Sequence, residues 1–202
     1  MGVAIVCFKY SRALQSQNNP AVAGLYLCAQ LVCDWTEIGS LEKEVEELTK
    51  AALAEGRLPA ESPFMHITRS MDSEMNLAVA RAWSTSVDAA SVKINRRRTK
   101  KNLIRLAYIS SDFHEHATAY LMHRLFKLHD RRRFEVFAYS CEPAPDSGLR
   151  RALENDCDLF FDITGWGADK AAQHIAENGI DILIDLKGHT RKNRLDILAR
   201  RP

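Results

Sequence analysis

The sequence predicts an α/β fold: a Rossmann-like lobe built on a parallel sheet, preceded by an α-helical segment. Three observations predict it. Four short apolar runs, residues 104–110, 134–140, 158–164 and 181–188, alternate with stretches of helical period. The runs are apolar enough for strands buried on both faces. Ahead of about Asn95 the apolar residues recur at helical spacing only. A chain of 202 residues is long enough for one such domain and a helical segment.

The N-terminal stretch MGVAIVCFKYSRALQ holds a short apolar run whose basic residues follow it, without a convincing cleavage site. It reads as a helix, not a signal peptide. Val6 stands where a myristoylation pattern wants Ser or Thr. Asn19-Pro20 opens a second helix, with Ala21, Leu25, Ala29 and Val32 on one side. Ser40 is the expected N-cap of a third, with Glu42 and Glu44 placed favourably for the helix dipole. Its apolar face is Leu41, Val45, Leu48 and Leu53; Glu46 and Lys50 form an i,i+4 pair, and Gly56 stops it. The segment RLPAESPF is a loop with Pro59 and Pro63 as breakers, and another helix is expected over 73–84. These short amphipathic helices need something to pack on. The first is suited to close a helical array. No internal repeat is visible in the chain itself.

Residues 91–105 carry Arg96, Arg97, Arg98, Lys100 and Lys101, read as a solvated basic linker. Without interleaved aromatics they make a poor nucleic-acid site. The expected division is therefore 1–95, helical, and 96–202, the α/β lobe. Within the lobe, 117–129 reads as a helix with Leu121, Leu125 and Leu128 on one side. Ser147 caps the helix before Cys157, and 167–179 is a helix ended by Gly179.

Composition is that of an ordinary globular protein, 46% hydrophobic and 27% charged. A net charge of +2 is too small to imply a nucleic-acid partner. No run reaches the length of a membrane span. The cysteines Cys7, Cys28, Cys33, Cys141 and Cys157 fit neither a zinc site nor a disulfide framework. They read as small buried hydrophobes in a reducing compartment, hence the cytoplasm.

Ligands of open α/β sheets bind outside the C-terminal ends of the strands. Two polar motifs fall there. The first, SSDFHEHAT, carries Asp112, His114, Glu115, His116 and Thr118. An imidazole in it can exchange a proton near neutral pH or donate a hydrogen bond. Thr118 and the amides of the following helix can receive an anion. His114-x-His116 alone is a weak metal signal. The second motif is Lys187-Gly188-His189-Thr190, where glycine permits close approach. Asp185, in an apolar strand, needs a partner from a backbone amide, His189 or Arg191. The chain lacks a G-x-G-x-x-G, a Walker loop and a G-x-S-x-G, which argues against dehydrogenases, P-loop ATPases and α/β-hydrolases.

Four blocks in order, IRLAYISSDFHEHAT, LMHRLFKLHDRRRFEVFAYS, GIDILIDLKGHT and LDILARRP, resemble the amino-terminal catalytic lobe of the O-linked N-acetylglucosamine transferase family, which includes SPINDLY-like and bacterial repeat-containing members. The likeness extends more loosely back to Cys33-Asp34-Trp35 and the helices around it. The resemblance implies a two-lobed, metal-free, inverting glycosyltransferase of the GT-B type. It implies UDP-N-acetylglucosamine, or in some members another nucleotide sugar, as donor substrate without a further cofactor. It implies a protein Ser or Thr hydroxyl as acceptor, and neither nucleic acid nor membrane as partner. It assigns His116 to the acceptor and sugar site and Asp112 to orienting its loop, these two being the candidate catalytic residues. Thr118, Gly188, His189 and Thr190 become the candidate donor-binding residues.

Four positions depart from the family pattern: His114 for glycine, Ala117 for proline, Lys187 for a smaller or neutral residue, and Ala176 where the family has a histidine, nearby His174 being out of step. The resemblance further implies a second lobe carrying most nucleotide contacts, beyond the Arg-Pro of LARRP, and possible repeats ahead of the helical segment. The expectation is thus a fragment with little or no transferase activity alone. The alternative is an inactive relic or binding module of the same family.

Overall fold

The computed structural model describes residues 2–14, 19–89, 92–94 and 102–202. The boundary expected between 95 and 96 and the basic cluster from Arg96 to Lys101 lie outside these residues. Backbone contacts divide the chain into two compact units, Met1–Ala89 and Ala90–Pro202.

The first unit contains α1 (Gly2–Leu14), α2 (Asn19–Val32), α3 (Ile38–Ala54), α4 (Pro63–Arg69) and α5 (Ser73–Ala89). Its apolar core is Val22, Leu25, Tyr26, Leu41 and Val45, with Ile5, Phe8 and Ile38 against it. Gly24 lies under the Phe8 ring, where a Cβ would come within 2.5 Å of the ring carbons. The glycine therefore sets how closely α1 approaches α2. Val3, Val6, Tyr10 and Leu14 of α1 are exposed.

Two expectations are corrected here. Helix α3 starts at Ile38, with Glu37 at the N-cap, and Ser40 lies in its first turn donating to the Glu37 carbonyl at 2.8 Å. The turn of Asp34 over the Thr36 amide redirects the chain early, so that Ile38 enters the helix and reaches the core. Pro63 starts a helix instead of breaking one: it occupies the first turn of α4, and the Ser62 hydroxyl accepts from the Met65 amide at 3.3 Å. Helix α4 delivers Arg69, whose guanidinium pairs with Glu61 through two bonds of 2.9 and 2.5 Å and with Glu46 at 2.6 Å. Thr49 adds a bond to Glu61 at 2.5 Å, and the Trp83 indole donates to the Glu61 carbonyl at 2.9 Å. This buried polar cluster ties α3, α4 and α5 together. The expected pair Glu46–Lys50 forms at 2.7 Å.

In the second unit the strands are β1 (Ile104–Ser110), β2 (Phe134–Ser140), β3 (Leu159–Asp162) and β4 (Ile182–Asp185). All pair in parallel, in the order β3-β2-β1-β4. Alternation along β1 and β2 builds two cores. Ala107, Ile109, Phe137 and Tyr139 pack with Ala171, Ala172 and Ile175 of α9 (Ala168–Glu177) and Ile197 of α10 (Leu195–Leu198). Leu106, Tyr108, Val136 and Ala138 pack on the other face with Ala119 of α6 (Ala117–Met122), Phe126 of α7 (Leu125–Leu128) and Leu153 of α8 (Gly148–Asp156). Ser147 caps α8, accepting from the Arg150 amide at 3.1 Å.

The single helix expected over 117–129 is two short ones, and its buried face differs from the one expected. Ala119, Met122 and Phe126 turn to the core, whereas Leu121 and Leu128 are largely exposed. The segment carries two apolar stripes, and the one with the aromatic ring is buried; a Phe ring removes more apolar surface from water than a leucine. The cysteines also divide: Cys28, Cys141 and Cys157 are buried, but Cys7 and Cys33 are exposed, contrary to expectation.

Candidate functional site

The strand order reverses at β1. Its chain neighbours β2 and β3 lie on one side and β4 on the other. Parallel sheets open a crevice at such a point, beyond the strand C-termini. The register pairs Ile109 with Asp185, and the Leu186 amide donates to the Ile109 carbonyl at 3.1 Å. The two polar motifs therefore leave the sheet side by side.

Asp112 is the centre of their contact. It is only 6% exposed. Its Oδ2 accepts from Lys187 Nζ at 2.7 Å, joining residues 75 apart in sequence. Its Oδ1 accepts from the Ser111 hydroxyl at 3.0 Å, and its amide donates to the Ser110 hydroxyl at 3.0 Å. Burial alone would raise this carboxyl, but the hydrogen bonds from Lys187 and Ser111 and the charge of Lys187 outweigh it and hold it below the ordinary carboxylate value. Asp112 is thus a charged, fully engaged anchor.

His116 is the N-cap of α6. Its Nδ1 accepts from the Thr118 amide at 3.2 Å and lies 3.5 Å from Asp112 Oδ2. The Thr118 amide, expected to be open to an anion, is occupied by this imidazole. The Thr118 hydroxyl points to Asp112 Oδ2 at 3.5 Å, the outer limit of a hydrogen bond. The His114 ring lies edge-on to that of His116, 5.7 Å away. Among the described residues, no group of three or more His, Cys, Asp or Glu is placed to hold a metal ion.

On the β4 side, Asp185 finds its partners in the backbone: its carboxylate accepts the amides of Lys187 at 3.1 Å and Gly188 at 2.7 Å. Gly188 has φ +51, and a Cβ there would meet nothing within 4 Å. Glycine is required by the left-handed backbone and not by crowding. The Thr190 hydroxyl donates to the Lys187 carbonyl at 2.8 Å, so its hydrogen is committed to the turn. His189 is half-buried beside it. The structure therefore joins Asp112, His116 and Thr118 into one cluster and brings the Gly188–His189–Thr190 turn against it through Lys187.

Sequence reasoning missed Arg150. This nearly buried guanidinium on α8 donates to the Phe113 carbonyl at 3.1 Å and to the Ser140 hydroxyl at 2.8 Å, and lies 4.2 Å over the Phe160 ring. It fastens the His116 loop to the ends of β2 and β3. Its i,i+4 partner Glu154, at 2.5 Å, gives it the sequence signature of a surface pair, so no local signal distinguished it.

Comparison with known proteins agrees with this architecture. The chain is 29% identical over 191 residues to a UDP-N-acetylglucosamine–peptide N-acetylglucosaminyltransferase of Caenorhabditis elegans, covering 86% of this chain and 16% of the relative. It is 29% identical over 186 residues to the probable enzyme SEC of Arabidopsis thaliana, covering 86% of this chain and 19% of that one. The chain thus spans less than a fifth of the length of these curated relatives. A mutant O-GlcNAc transferase of Thermobaculum terrenum shares the fold at 18% identity and a TM-score of 0.53, over 98% of this chain and 45% of that one. No helix among the described residues is long and apolar enough to cross a membrane. The profile of glycosyl transferase family 41 matches residues 32–202, and the chain belongs to that family.

Proposed function

We propose that residues 96–202 form the sugar- and acceptor-facing lobe of an inverting protein O-linked glycosyltransferase. In this reading the enzyme moves N-acetylglucosamine from UDP-N-acetylglucosamine to Ser or Thr hydroxyls, and residues 1–95 link the lobe to a helical repeat array. The observation that carries the reading is the convergence of the two motif loops at the switch point through the Lys187–Asp112 pair at 2.7 Å. The relatives' names supply the donor and the peptide acceptor. A second lobe holds the uridine and most of the diphosphate. The cytoplasm suits five free cysteines.

The acceptor oxygen forms a bond to the anomeric carbon as the bond from that carbon to the diphosphate oxygen breaks. The electron pair leaves with UDP, and the hydroxyl proton passes to a diphosphate oxygen. The lobe's contribution is alignment and hydrogen-bond donation, not proton abstraction. His116 uses its Nδ1 lone pair on the Thr118 amide. Its other nitrogen then carries hydrogen and serves as a donor to the sugar or diphosphate oxygens.

Saturation-transfer NMR on the chain with UDP-N-acetylglucosamine tests the reading. Saturation should reach the N-acetyl methyl protons and disappear in His116→Ala. Transfer to no ligand proton from a folded sample would refute it.

A further inference from the structure

Two neighbours make opposite demands on His116 Nδ1. The Thr118 amide, 3.2 Å away, can only donate, so it requires a bare nitrogen. The Asp112 carboxylate, with Oδ2 3.5 Å away, accepts, so it favours a protonated one. A carboxylate without another partner would win, because a hydrogen bond to a charged acceptor is stronger than one from a neutral amide.

Lys187 alters this contest. Its ammonium bonds the same Oδ2 at 2.7 Å, and the two side chains are only 11% and 8% exposed. The Ser111 hydroxyl supplies Oδ1 at 3.0 Å. Each carboxylate oxygen already has a donor, and the Lys187 charge offsets the carboxylate's pull on a hydrogen at Nδ1. Of the other titratable groups nearby, Glu115 accepts from the Tyr120 hydroxyl, and the His114 ring lies edge-on to that of His116.

We propose that Lys187 is a positioning residue that fixes the tautomer of His116: by occupying Asp112 it leaves Nδ1 bare for the Thr118 amide and places the hydrogen on Nε2. The loop after β4 thereby decides whether the histidine on the loop after β1 is a hydrogen-bond donor or a base. What the Nε2 hydrogen is for rests on the function proposed above. The tautomer itself does not, since it is a property of the free chain.

The test is a long-range proton–nitrogen correlation spectrum of histidine-labelled chain without ligand, with His116 assigned through His116→Gln. In the unsubstituted chain Nδ1 should give the signal of a bare nitrogen and Nε2 that of a protonated one. Lys187→Met should move the tautomer ratio toward protonated Nδ1 by about tenfold, the difference between charged and neutral hydrogen bonds. Lys187→Arg should keep the original tautomer, and Lys187→Met combined with Asp112→Asn should restore it. Protonated Nδ1 in the unsubstituted chain would overturn the proposal. So would an unchanged ratio in Lys187→Met whose amide spectrum is native-like. If Lys187→Met fails to fold, Lys187→Gln carries the same prediction, and the unsubstituted spectrum still decides. Failure of sugar-nucleotide binding would count against the proposed function and leave this result standing.

Discussion

Replacing Arg150 by methionine keeps the side-chain stem and removes the guanidinium. Two buried bonds are lost, to the Phe113 carbonyl at 3.1 Å and the Ser140 hydroxyl at 2.8 Å, together with the contact over Phe160 at 4.2 Å. At about 1.5 kcal/mol for each bond from a charged donor and about 1 kcal/mol for the cation–π contact, the gross loss is about 4 kcal/mol. The bond to Glu154 adds little, because Glu154 is 40% exposed. Methionine returns about 1 kcal/mol by relieving desolvation of the charge, leaving a net loss of about 3 kcal/mol. For the Ala90–Pro202 unit that lowers the midpoint of thermal unfolding by about 12 °C. Differential scanning calorimetry measures the shift, and hydrogen exchange should show faster opening at residues 113–118. Arg150→Lys should recover part of the charge but not the fork. A loss below about 1 kcal/mol with unchanged exchange in that loop would refute the assignment of Arg150 as its anchor.

Other predictions are equally direct. Gly188→Ala should cost about 1 kcal/mol through its left-handed backbone alone, measurable by urea unfolding, because no neighbour stands within 4 Å of the new Cβ. Glu46 is held at about 2 by hydrogen bonds from Lys50 and Arg69, against an ordinary 4.5. Its folded-state value is depressed, so its stabilisation is complete above pH 4.5 and fades as pH falls toward 2. Acid unfolding followed by circular dichroism should show this dependence, flattened in Glu46→Gln. Burial pushes the Cys141 and Cys157 thiols up to about 12 and about 11. A thiol reagent at pH 8 should therefore label exposed Cys7 and Cys33 first, and the buried Cys28, Cys141 and Cys157 only on unfolding.

The strands were legible because each is a compact apolar run between turn residues, and all four runs became parallel strands. The position of the two motifs followed from that alternation. Their adjacency did not, because it depends on β4 pairing with β1 across more than seventy residues. Helix starts were less legible. Ser40 has the chemistry of a cap, but core packing of Ile38 moved the start upstream. Leucines 121, 125 and 128 formed a clear stripe, yet Phe126 lay on the competing one and was buried. At the site, the resemblance assigned Asp112 to orienting its loop, but the partners through which it does so were not legible. Reading it as an anchor required seeing Lys187 and Ser111 on its two oxygens. Arg150 was invisible because a local pair with Glu154 masks a long-range clamp.

If the proposed function holds, the crevice between β1 and β4 receives the sugar nucleotide. The most direct measurement is a backbone amide titration of the labelled chain with UDP-N-acetylglucosamine up to millimolar concentration. The largest shifts should fall at residues 110–118 and 186–190, with the helical unit unmoved. Shifts concentrated in the helical unit or along β3 and α9, or none at all in a folded chain, would contradict the proposed function.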